Sequence, residues 1–464
     1  MNEWKKFITT SGLYFLGNIL PKSFSFLLLP IYTKYLNPSD YGYYDVVIAY
    51  LSIITSVLFL DIWNAVLRFM FQNRGDAKYN PVYSGGVIFL ASILVYSIVL
   101  LSIQYFIEIK YFVLVFINGL SLTIQSYYSS VARGLRRNKV FAFSGIISTL
   151  IAAISNLIMI VFMGMDYSAL YLSSIISIAV QLLILELSVK LIKNYSADRI
   201  DSALMKQIFL FAAPLCLNSL SFWLLSSYNR VAVASYLNVY ENGLFSIASK
   251  FSAILVMASM CFSMAWQETA FSKNGTSEEK GVFFSNALNL YIKFILISTL
   301  IILPTIWVIF PYFIDSNYGK AKSYIPLYLI GTMMSILSNF LGTIFGNIMK
   351  PKIVLISTLM GSVVSIASMH GLITVFGVNG ANLSFILGFT VTVVTRVILL
   401  NKFITLKLNY RLVFLGTISV VCWVYLYHIL NFTLAMLLIL ISFVLGLLVF
   451  KNEINRLLNR NWSD

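Results

Sequence analysis

The sequence is poor in charged residues, and above all in acids. Of its 464 residues, 11% are charged, with 17 Asp or Glu against 32 Lys or Arg, while 59% are hydrophobic. A soluble chain of this length could not bury so much apolar surface, so we predict a polytopic membrane protein. Most basic residues lie between apolar runs. The net charge of +15 therefore indicates membrane topology and contact with anionic lipids rather than nucleic acid as a partner.

Cysteine and histidine are also scarce, and their positions are scattered. Cys216, Cys261 and Cys422 all lie within apolar runs, and His370 and His428 are isolated. This distribution indicates neither a disulfide framework nor a metal cluster. We also find no phosphate-binding glycine loop, metal motif or catalytic triad, so we expect neither an enzyme nor a bound cofactor.

Long apolar runs follow one another along the whole chain. About 20 apolar residues are needed to cross a hydrocarbon layer roughly 30 Å thick. By that rule we predict an all-α fold with about fourteen transmembrane helices, and no cleaved signal peptide before the first of them. The predicted spans are 9–33, 43–70, 82–105, 111–133, 141–164, 168–192, 207–236, 243–271, 283–312, 324–349, 353–376, 379–400, 411–429 and 431–450.

The basic residues between these spans alternate in number from one side to the other. If the N-terminus is cytoplasmic, the inner segments hold most of them. The outer segments hold only Lys34, Lys110, Lys320 and Lys322. A wrong number of spans would scramble this alternation, because every later loop would change sides. The bias therefore predicts that both termini are cytoplasmic.

A short motif recurs after the first span of each predicted six-span set. Residues 35–42 and 236–243 share Tyr, Leu, Asn and Gly at matching positions, with Asp40 in one copy and Glu241 in the other. The copies indicate two parallel repeats around a central cavity. We predict four parts: a six-helix bundle at 1–193, a cytoplasmic linker at 194–206, a second bundle at 207–405, and two extra helices with a cytoplasmic tail at 406–464.

Five basic residues fall inside predicted spans: Lys22, Arg230, Lys250, Lys293 and Arg396. Each costs about 2.5–3.5 kcal/mol at a helix centre and less near an end. Arg396 lies near the inner boundary, where we expect it to snorkel. For Lys293, a cavity group and a paired structural group remain equally open. Lys22, Arg230 and Lys250 belong to the opening helices of the two halves, and we predict that they bind an anionic substrate.

Acids near the spans are fewer and suggest coupling or gating. Asp61 lies inside the second span, as either a titratable site coupled to an ion gradient or the partner of a buried base such as Lys22. Arg68 and Glu268 fall at equivalent inner ends of the two halves. They are candidates for an ion pair that closes the cavity toward the cytoplasm, or for two separately solvated charges.

Several stretches together resemble the bacterial polysaccharide flippases, the Wzx-type members of the multidrug/oligosaccharidyl-lipid/polysaccharide exporter superfamily. These stretches are 11–13, 30–36, 40–42, 61–69, 133–137 and 376–384. The resemblance implies two six-helix bundles that open a cavity alternately to either side. It implies a cargo of one sugar repeat unit on a polyprenyl pyrophosphate, for an O-antigen, capsule or teichoic-acid type of polymer, moved across the bacterial cytoplasmic membrane.

Lipid-linked oligosaccharide and membrane lipids are therefore the expected partners. Binding to other polysaccharide-assembly proteins stays an open alternative. Transport coupled to a proton or sodium gradient also stays open. Two alternatives remain: a drug or metabolite antiporter of the same superfamily, and a membrane glycosyltransferase or polymerase. A cationic drug would favour acids in the cavity, and an enzyme would need paired carboxylates on the outer face. The sequence has basic residues in its spans and no such pair, so we predict a flippase.

Overall fold

The computed structural model describes residue Phe24 and residues 26–73, 75–272 and 276–451. Every regular element in these ranges is helical, and twelve helices are long and apolar enough to cross a membrane. The predicted fold class is confirmed. Helix α5 is also long enough, although Asn118 and Gln125 make it more polar. The first predicted span, 9–33, lies mostly outside the described residues.

Sixteen α-helices lie in the described ranges, joined by short turns. The helices of the N-terminal part are α1 (Leu29–Tyr35), α2 (Pro38–Leu58), α3 (Ile62–Gln72), α4 (Tyr79–Phe106), α5 (Phe112–Gly134), α6 (Asn138–Leu157), α7 (Ser168–Val189), α8 (Ser202–Ser226) and α9 (Tyr228–Tyr236). The remaining helices are α10 (Val239–Ser272), α11 (Ser277–Phe313), α12 (Ile325–Asn347), α13 (Pro351–Phe376), α14 (Val378–Leu400), α15 (Tyr410–His428) and α16 (Phe432–Val449).

Residue contacts divide the chain into two compact units, Met1–Gly243 and Leu244–Asp464. This division follows packing, and it groups α8 and α9 with the first unit. The predicted bundles instead follow the sequence repeat, which begins a new half after the linker at 194–206. The bounds of the predicted bundles therefore stay a prediction.

Buried polar pairs join the helices of the first unit. Helix α7 packs against both α5 and α6. Ser174 of α7 donates to Asn118 of α5, and Ser173 of α7 donates to Asn156 of α6. Interhelical hydrogen bonds of this kind favour helix association where lipid supplies no hydrophobic driving force. Helix α2 packs on α5 of this group and also against α8 and α9.

The second unit repeats that packing and adds an aromatic core. Helix α14 packs against α12 and α13, as α7 does against α5 and α6. A cluster of buried apolar side chains that includes Trp266, Tyr291 and Phe340 fills the space beside α11. The two extra helices, α15 and α16, also pack on α11. The Ser442 hydroxyl of α16 accepts from the Trp423 indole of α15 and donates to the Leu300 carbonyl of α11.

Helix α2 begins five residues earlier than predicted, at Pro38 rather than at residue 43. The Asn37 side chain accepts from the backbone N–H of Asp40, and Pro38 stands in the first turn, so the chain has a regular helix start there. The predicted span 43–70 is also not one helix. It breaks after Leu58, and α3 begins at Ile62. The seventh predicted span likewise divides, at Ser227, into α8 and α9.

Candidate functional site

A polar stripe runs along one face of α2. Asp45, Ala49, Ser52 and Ser56 follow one another at intervals of three or four residues, which places them on the same side of a helix. The stripe extends over about 16 Å at 1.5 Å per residue. Toward the C-terminal end of α2 it leads to the helix break that contains Asp61. A polar face of this length in a transmembrane helix indicates a wetted path rather than a lipid contact.

Helix α8 faces this stripe and forms a polar groove with it. The Trp223 indole N–H donates to the Ala49 carbonyl at 3.0 Å and lies 3.1 Å from the Ser52 hydroxyl oxygen. The groove has a volume of about 320 Å³. Its lining residues are Ser52, Ile53, Ser56, Asn218, Ser219, Phe222, Trp223, Ser226 and Ser227. The hydroxyl, amide and indole groups can bind sugar hydroxyls, and Ile53 and Phe222 add apolar surface to the groove.

An ion pair lies at the N-terminal end of the same stripe. Arg230 Nε of α9 is 3.0 Å from Asp45 Oδ2 of α2, and the two side chains are 24% and 10% exposed. Arg230 was predicted as a substrate-binding cation, and it carries its own counter-ion in this structure. An anionic substrate at this point would compete with Asp45 for the guanidinium, which can form strong bidentate hydrogen bonds with phosphate.

The two copies of the repeated motif meet beside this ion pair, within the first compact unit. Asn37 and Asn238 each cap a helix by accepting from the backbone N–H three residues on. The Asn242 amide donates to the Gly42 carbonyl at 2.9 Å. A Cβ atom on Gly42 would lie 1.9 Å from the Val239 carbonyl oxygen, so this crossing of two backbones requires glycine.

Asp61 occupies a strained break between α2 and α3. Leu60 and Asp61 both have left-handed backbone angles, with φ of 54° and 48°. Such angles cost about 1–3 kcal/mol each for residues other than glycine. The Asp61 side chain makes no capping hydrogen bond to α3 and lies beside the hydroxyls of Ser56 and Ser219. Asp61 is only 6% exposed.

The other predicted site residues are spread over the chain. Arg68 is exposed on α3. Lys250 on α10 and Lys293 on α11 are half-buried in the second unit. Lys22 lies outside the described residues, and so does the side chain of Glu268. The convergence of the basic residues on one substrate, and the ion pair of Arg68 with Glu268, therefore stay predictions.

Several residues of the groove, the ion pair and the motif crossing were not predicted from the sequence. Asp45 is the most important, because it changes the charge of the Arg230 site. The signal was its spacing to Ser52 and Ser56 on one helix face, but the span was predicted to begin at residue 43, which placed Asp45 at a helix end. Trp223 and Asn242 gave no comparable signal. Their roles depend on contacts between residues far apart in the sequence.

The prediction that Arg396 snorkels was wrong, because its side chain is buried and 3% exposed. Its guanidinium donates to Ser338 of α12 and to Ser357 and Thr358 of α13, and it also reaches the carbonyls of Ser338 and Val354. Five oxygen acceptors on two neighbouring helices satisfy the guanidinium N–H groups, so the side chain gains more by staying inside than by reaching the interface.

Fold and site together define a multi-pass helical membrane protein with polar groups at membrane depth. Among the described residues, no group of three His, Cys, Asp or Glu side chains could hold a metal ion. A family model described as polysaccharide biosynthesis protein matches residues 7–271. The match covers more than half of the sequence, and the chain belongs to this family. No curated protein matches the sequence closely enough to count as a relative.

Solved structures of flippases and transporters share the fold over nearly their whole length. The inward closed conformation of the lipid II flippase MurJ superposes with a TM-score of 0.68 at 13% identity, covering 96% of this chain and 100% of the other. An inward-facing multidrug resistance MATE family transporter of the MOP superfamily superposes with a TM-score of 0.62 at 12% identity. The superposition covers 87% of this chain and 95% of the transporter. A mutant of the Vibrio cholerae MATE transporter VcmN superposes with a TM-score of 0.58 at 12% identity. The superposition covers 86% of this chain and 96% of the mutant. The predicted resemblance is confirmed for family and fold.

Proposed function

We propose that this protein is a flippase for a polyprenyl-pyrophosphate-linked oligosaccharide. It moves one repeat unit from the inner to the outer leaflet of the bacterial cytoplasmic membrane by alternating access, for synthesis of a surface polysaccharide such as O-antigen, capsule or teichoic acid. Undecaprenyl is the proposed carrier. Membership of the polysaccharide biosynthesis family supports the link to polysaccharide, and the likeness to a lipid II flippase supports the type of cargo.

The observation that carries the proposal is the order of chemical groups along α2. A groove with hydroxyl, amide and indole groups lies further along α2 from the Arg230–Asp45 ion pair, and Ser52 of the groove is two helical turns beyond Asp45. A lipid-linked oligosaccharide has a similar order, with sugar hydroxyls joined to a pyrophosphate. We infer that sugars bind in the groove and that the pyrophosphate displaces Asp45 from Arg230. Lys22, Lys250 and Lys293 add positive charge for the same anion.

Alternating access requires two closures that open in turn. We propose that the crossing of Gly42 and Gly243, with the Asn242 hydrogen bond, closes the outer end, and that Arg68 and Glu268 close the inner end. Both termini are proposed to be cytoplasmic. Cysteines placed at Asn194 and Asn459 should then react only from the cytoplasm, and one at Ser316 should react from outside. Labelling at position 194 from outside would contradict this topology.

The functional test is deletion of the protein followed by analysis of the accumulated lipids. We expect a polyprenyl pyrophosphate oligosaccharide trapped on the cytoplasmic side. In the deletion strain, Arg230→Ala, Lys22→Ala and Lys250→Ala should lower surface polymer at normal membrane abundance, and Lys22→Arg should restore it. Lys206→Ala serves as a matched control, because Lys206 is an exposed lysine at the start of α8. Full activity of all three neutral variants would exclude the cationic site.

A drug or metabolite antiporter of the same superfamily is the second candidate. The likeness to two MATE transporters and the buried acids Asp45 and Asp61 favour it. An antiporter would leave the lipid-linked oligosaccharide pool unchanged on deletion and would instead make the cells more sensitive to cationic compounds. Lipid analysis and drug sensitivity of the same strain therefore separate the two candidates.

A further inference from the structure

The groove between α2 and α8 is lined by uncharged side chains. Its polar members are Ser52, Ser56, Asn218, Ser219, Ser226 and Ser227, and its apolar members are Ile53, Phe222 and Trp223. Hydroxyl and amide groups can both donate to and accept from sugar hydroxyls. An anion is bound most strongly by charged donors, and none of these described lining residues carries a charge.

Two acids flank the groove along α2. Asp45 precedes it, and the pairing of Asp45 with Arg230 at 3.0 Å leaves no net charge at that end. Beyond the other end, the buried Asp61 carboxyl lies beside the hydroxyls of Ser56 and Ser219, which both line the groove. A sugar carboxylate in the groove would therefore lose its water, gain no counter-ion from the lining residues and lie near another carboxyl group.

Trp223 gives the groove an aromatic surface of fixed orientation. Its indole N–H donates to the Ala49 carbonyl at 3.0 Å and lies 3.1 Å from the Ser52 hydroxyl oxygen, so a ligand meets the ring rather than the N–H. Phe222, which is 40% exposed, adds a second aromatic surface. The face of an aromatic ring carries partial negative charge, which suits the C–H groups of a pyranose ring and repels a carboxylate.

We propose that the groove selects an uncharged sugar and excludes a sugar that carries a carboxylate, such as a uronic acid. The Trp223 ring positions the sugar, while Asn218 and the serines bind its hydroxyls. The selection concerns the sugar in the groove and not the rest of the repeat unit. This inference rests on the proposed function, because it names the class of sugar that the same groove accepts.

Binding of two matched probes to the purified protein in detergent tests the selectivity. One probe is farnesyl pyrophosphate that carries cellobiose, and the other is the same molecule with both C6 hydroxymethyl groups oxidised to carboxylates. The two sugar rings allow for the separation of about 10 Å along α2 between Asp45 and Ser52. By isothermal titration calorimetry we expect the neutral probe to bind about tenfold more tightly than the acidic one. It should also bind more tightly than farnesyl pyrophosphate alone.

Variants on α8 assign the selectivity to the groove. Asn218→Lys places a cation among the lining residues and should reverse the preference. Gln207→Lys is the matched control, because it adds the same charge at an exposed position of α8 outside the groove, and the preference should stay as in the native protein. Trp223→Ala should weaken binding of the neutral probe about three- to tenfold, and Trp223→Phe, which keeps an aromatic ring, should recover most of that loss. An unchanged affinity for farnesyl pyrophosphate shows that each variant is folded.

Three results would overturn the selectivity. The first is equal binding of the two probes or tighter binding of the acidic one, including acidic binding that is lost in Lys22→Met. The second is a neutral probe that binds no better than farnesyl pyrophosphate alone, which would mean that the groove binds no sugar. The third is a preference that Asn218→Lys leaves unchanged. The proposed function fails on a different result, a deletion strain that accumulates no lipid-linked oligosaccharide, and that result does not depend on which probe binds more tightly.

Discussion

Asp61 of the first compact unit and Arg396 of the second are both buried among helices, and their surroundings differ. In the first unit, Asp61 has two serine hydroxyls beside it and is 6% exposed. In the second, Arg396 is 3% exposed and reaches five oxygen acceptors on α12 and α13. The Arg396 guanidinium thus has protein acceptors for its N–H groups, whereas the described residues place only two hydroxyls beside the Asp61 carboxylate. Two charges that are buried to a similar extent can therefore differ in how many donors and acceptors surround them.

Equivalent helices of the two units also keep their packing and change their charges. Glu186 of α7 and Arg396 of α14 stand at the same distance from the first residue of their helices. Glu186 accepts from the backbone N–H groups of Leu191 and Ile192, just beyond the end of α7. Arg396 instead donates to two neighbouring helices. The repeat preserves which helices pack together, while each unit uses the corresponding position for a different contact.

Removal of Arg396 should have the largest effect on stability. Arg396→Ala leaves a cavity and deprives Ser338, Ser357 and Thr358 of their donor, so we expect a loss of about 3 kcal/mol. Arg396→Lys keeps the charge but cannot reach all five acceptors, and it should fall between alanine and the native protein. Thermal unfolding in detergent measures both.

Arg411→Ala is the matched control, because Arg411 is an exposed arginine of the same unit. It should unfold like the native protein. If Arg396→Ala also did so, the hydrogen bonds of Arg396 would contribute nothing, and the contrast with Asp61 would fail.

Neutralisation of Asp61 should instead raise the free energy of unfolding. Asp61→Asn removes a buried carboxylate, so at neutral pH we expect the protein to become more stable by about 2 kcal/mol. Transport in the complementation assay should be lost at normal abundance. A destabilisation as large as that of Arg396→Ala, measured in the same buffer, would place Asp61 with the structural charges.

The ion pair of Asp45 with Arg230 gives an intermediate case, in which one buried charge satisfies another. Asp45→Asn should destabilise by about 1–2 kcal/mol, because Arg230 is left half-buried without its counter-ion. The double variant Asp45→Asn with Arg230→Gln should cost less than the sum of the two single changes. Additive losses in thermal unfolding would show that the two side chains act independently.

The sequence predicted the helical architecture well, because apolar runs of sufficient length leave a membrane chain few other structures. It placed Asp61 and Arg230 inside continuous spans, whereas Asp61 lies in the break between α2 and α3 and Arg230 lies on the short helix α9. It did not predict which partners surround the charged side chains. Whether Arg230 is paired, or Arg396 is enclosed by hydroxyls, depends on contacts between helices that are 38 to 58 residues apart, or further, along the chain. The pattern of a single sequence shows which residues share a face of one helix, but it does not show which helices contact each other.

The smallest expected effect concerns the two copies of the repeated motif. Asn37 and Asn238 cap α2 and α10 with the same hydrogen bond, at 2.8 Å in both copies, so each change to alanine should cost about 0.5–1 kcal/mol. Asn37 also donates through its amide to the Asp40 carboxylate at 2.6 Å, and Asn37→Ala should therefore cost slightly more than Asn238→Ala. Replacement by aspartate keeps the acceptor oxygen but brings a second negative charge near Asp40, whereas serine keeps the acceptor without that charge. Asn37→Ser should thus recover most of the stability that Asn37→Ala loses, as measured by thermal unfolding. Equal losses for serine and alanine at both positions would mean that the shared geometry of the two caps does not contribute to stability, and that the motif serves only the close crossing of Gly42 with Gly243.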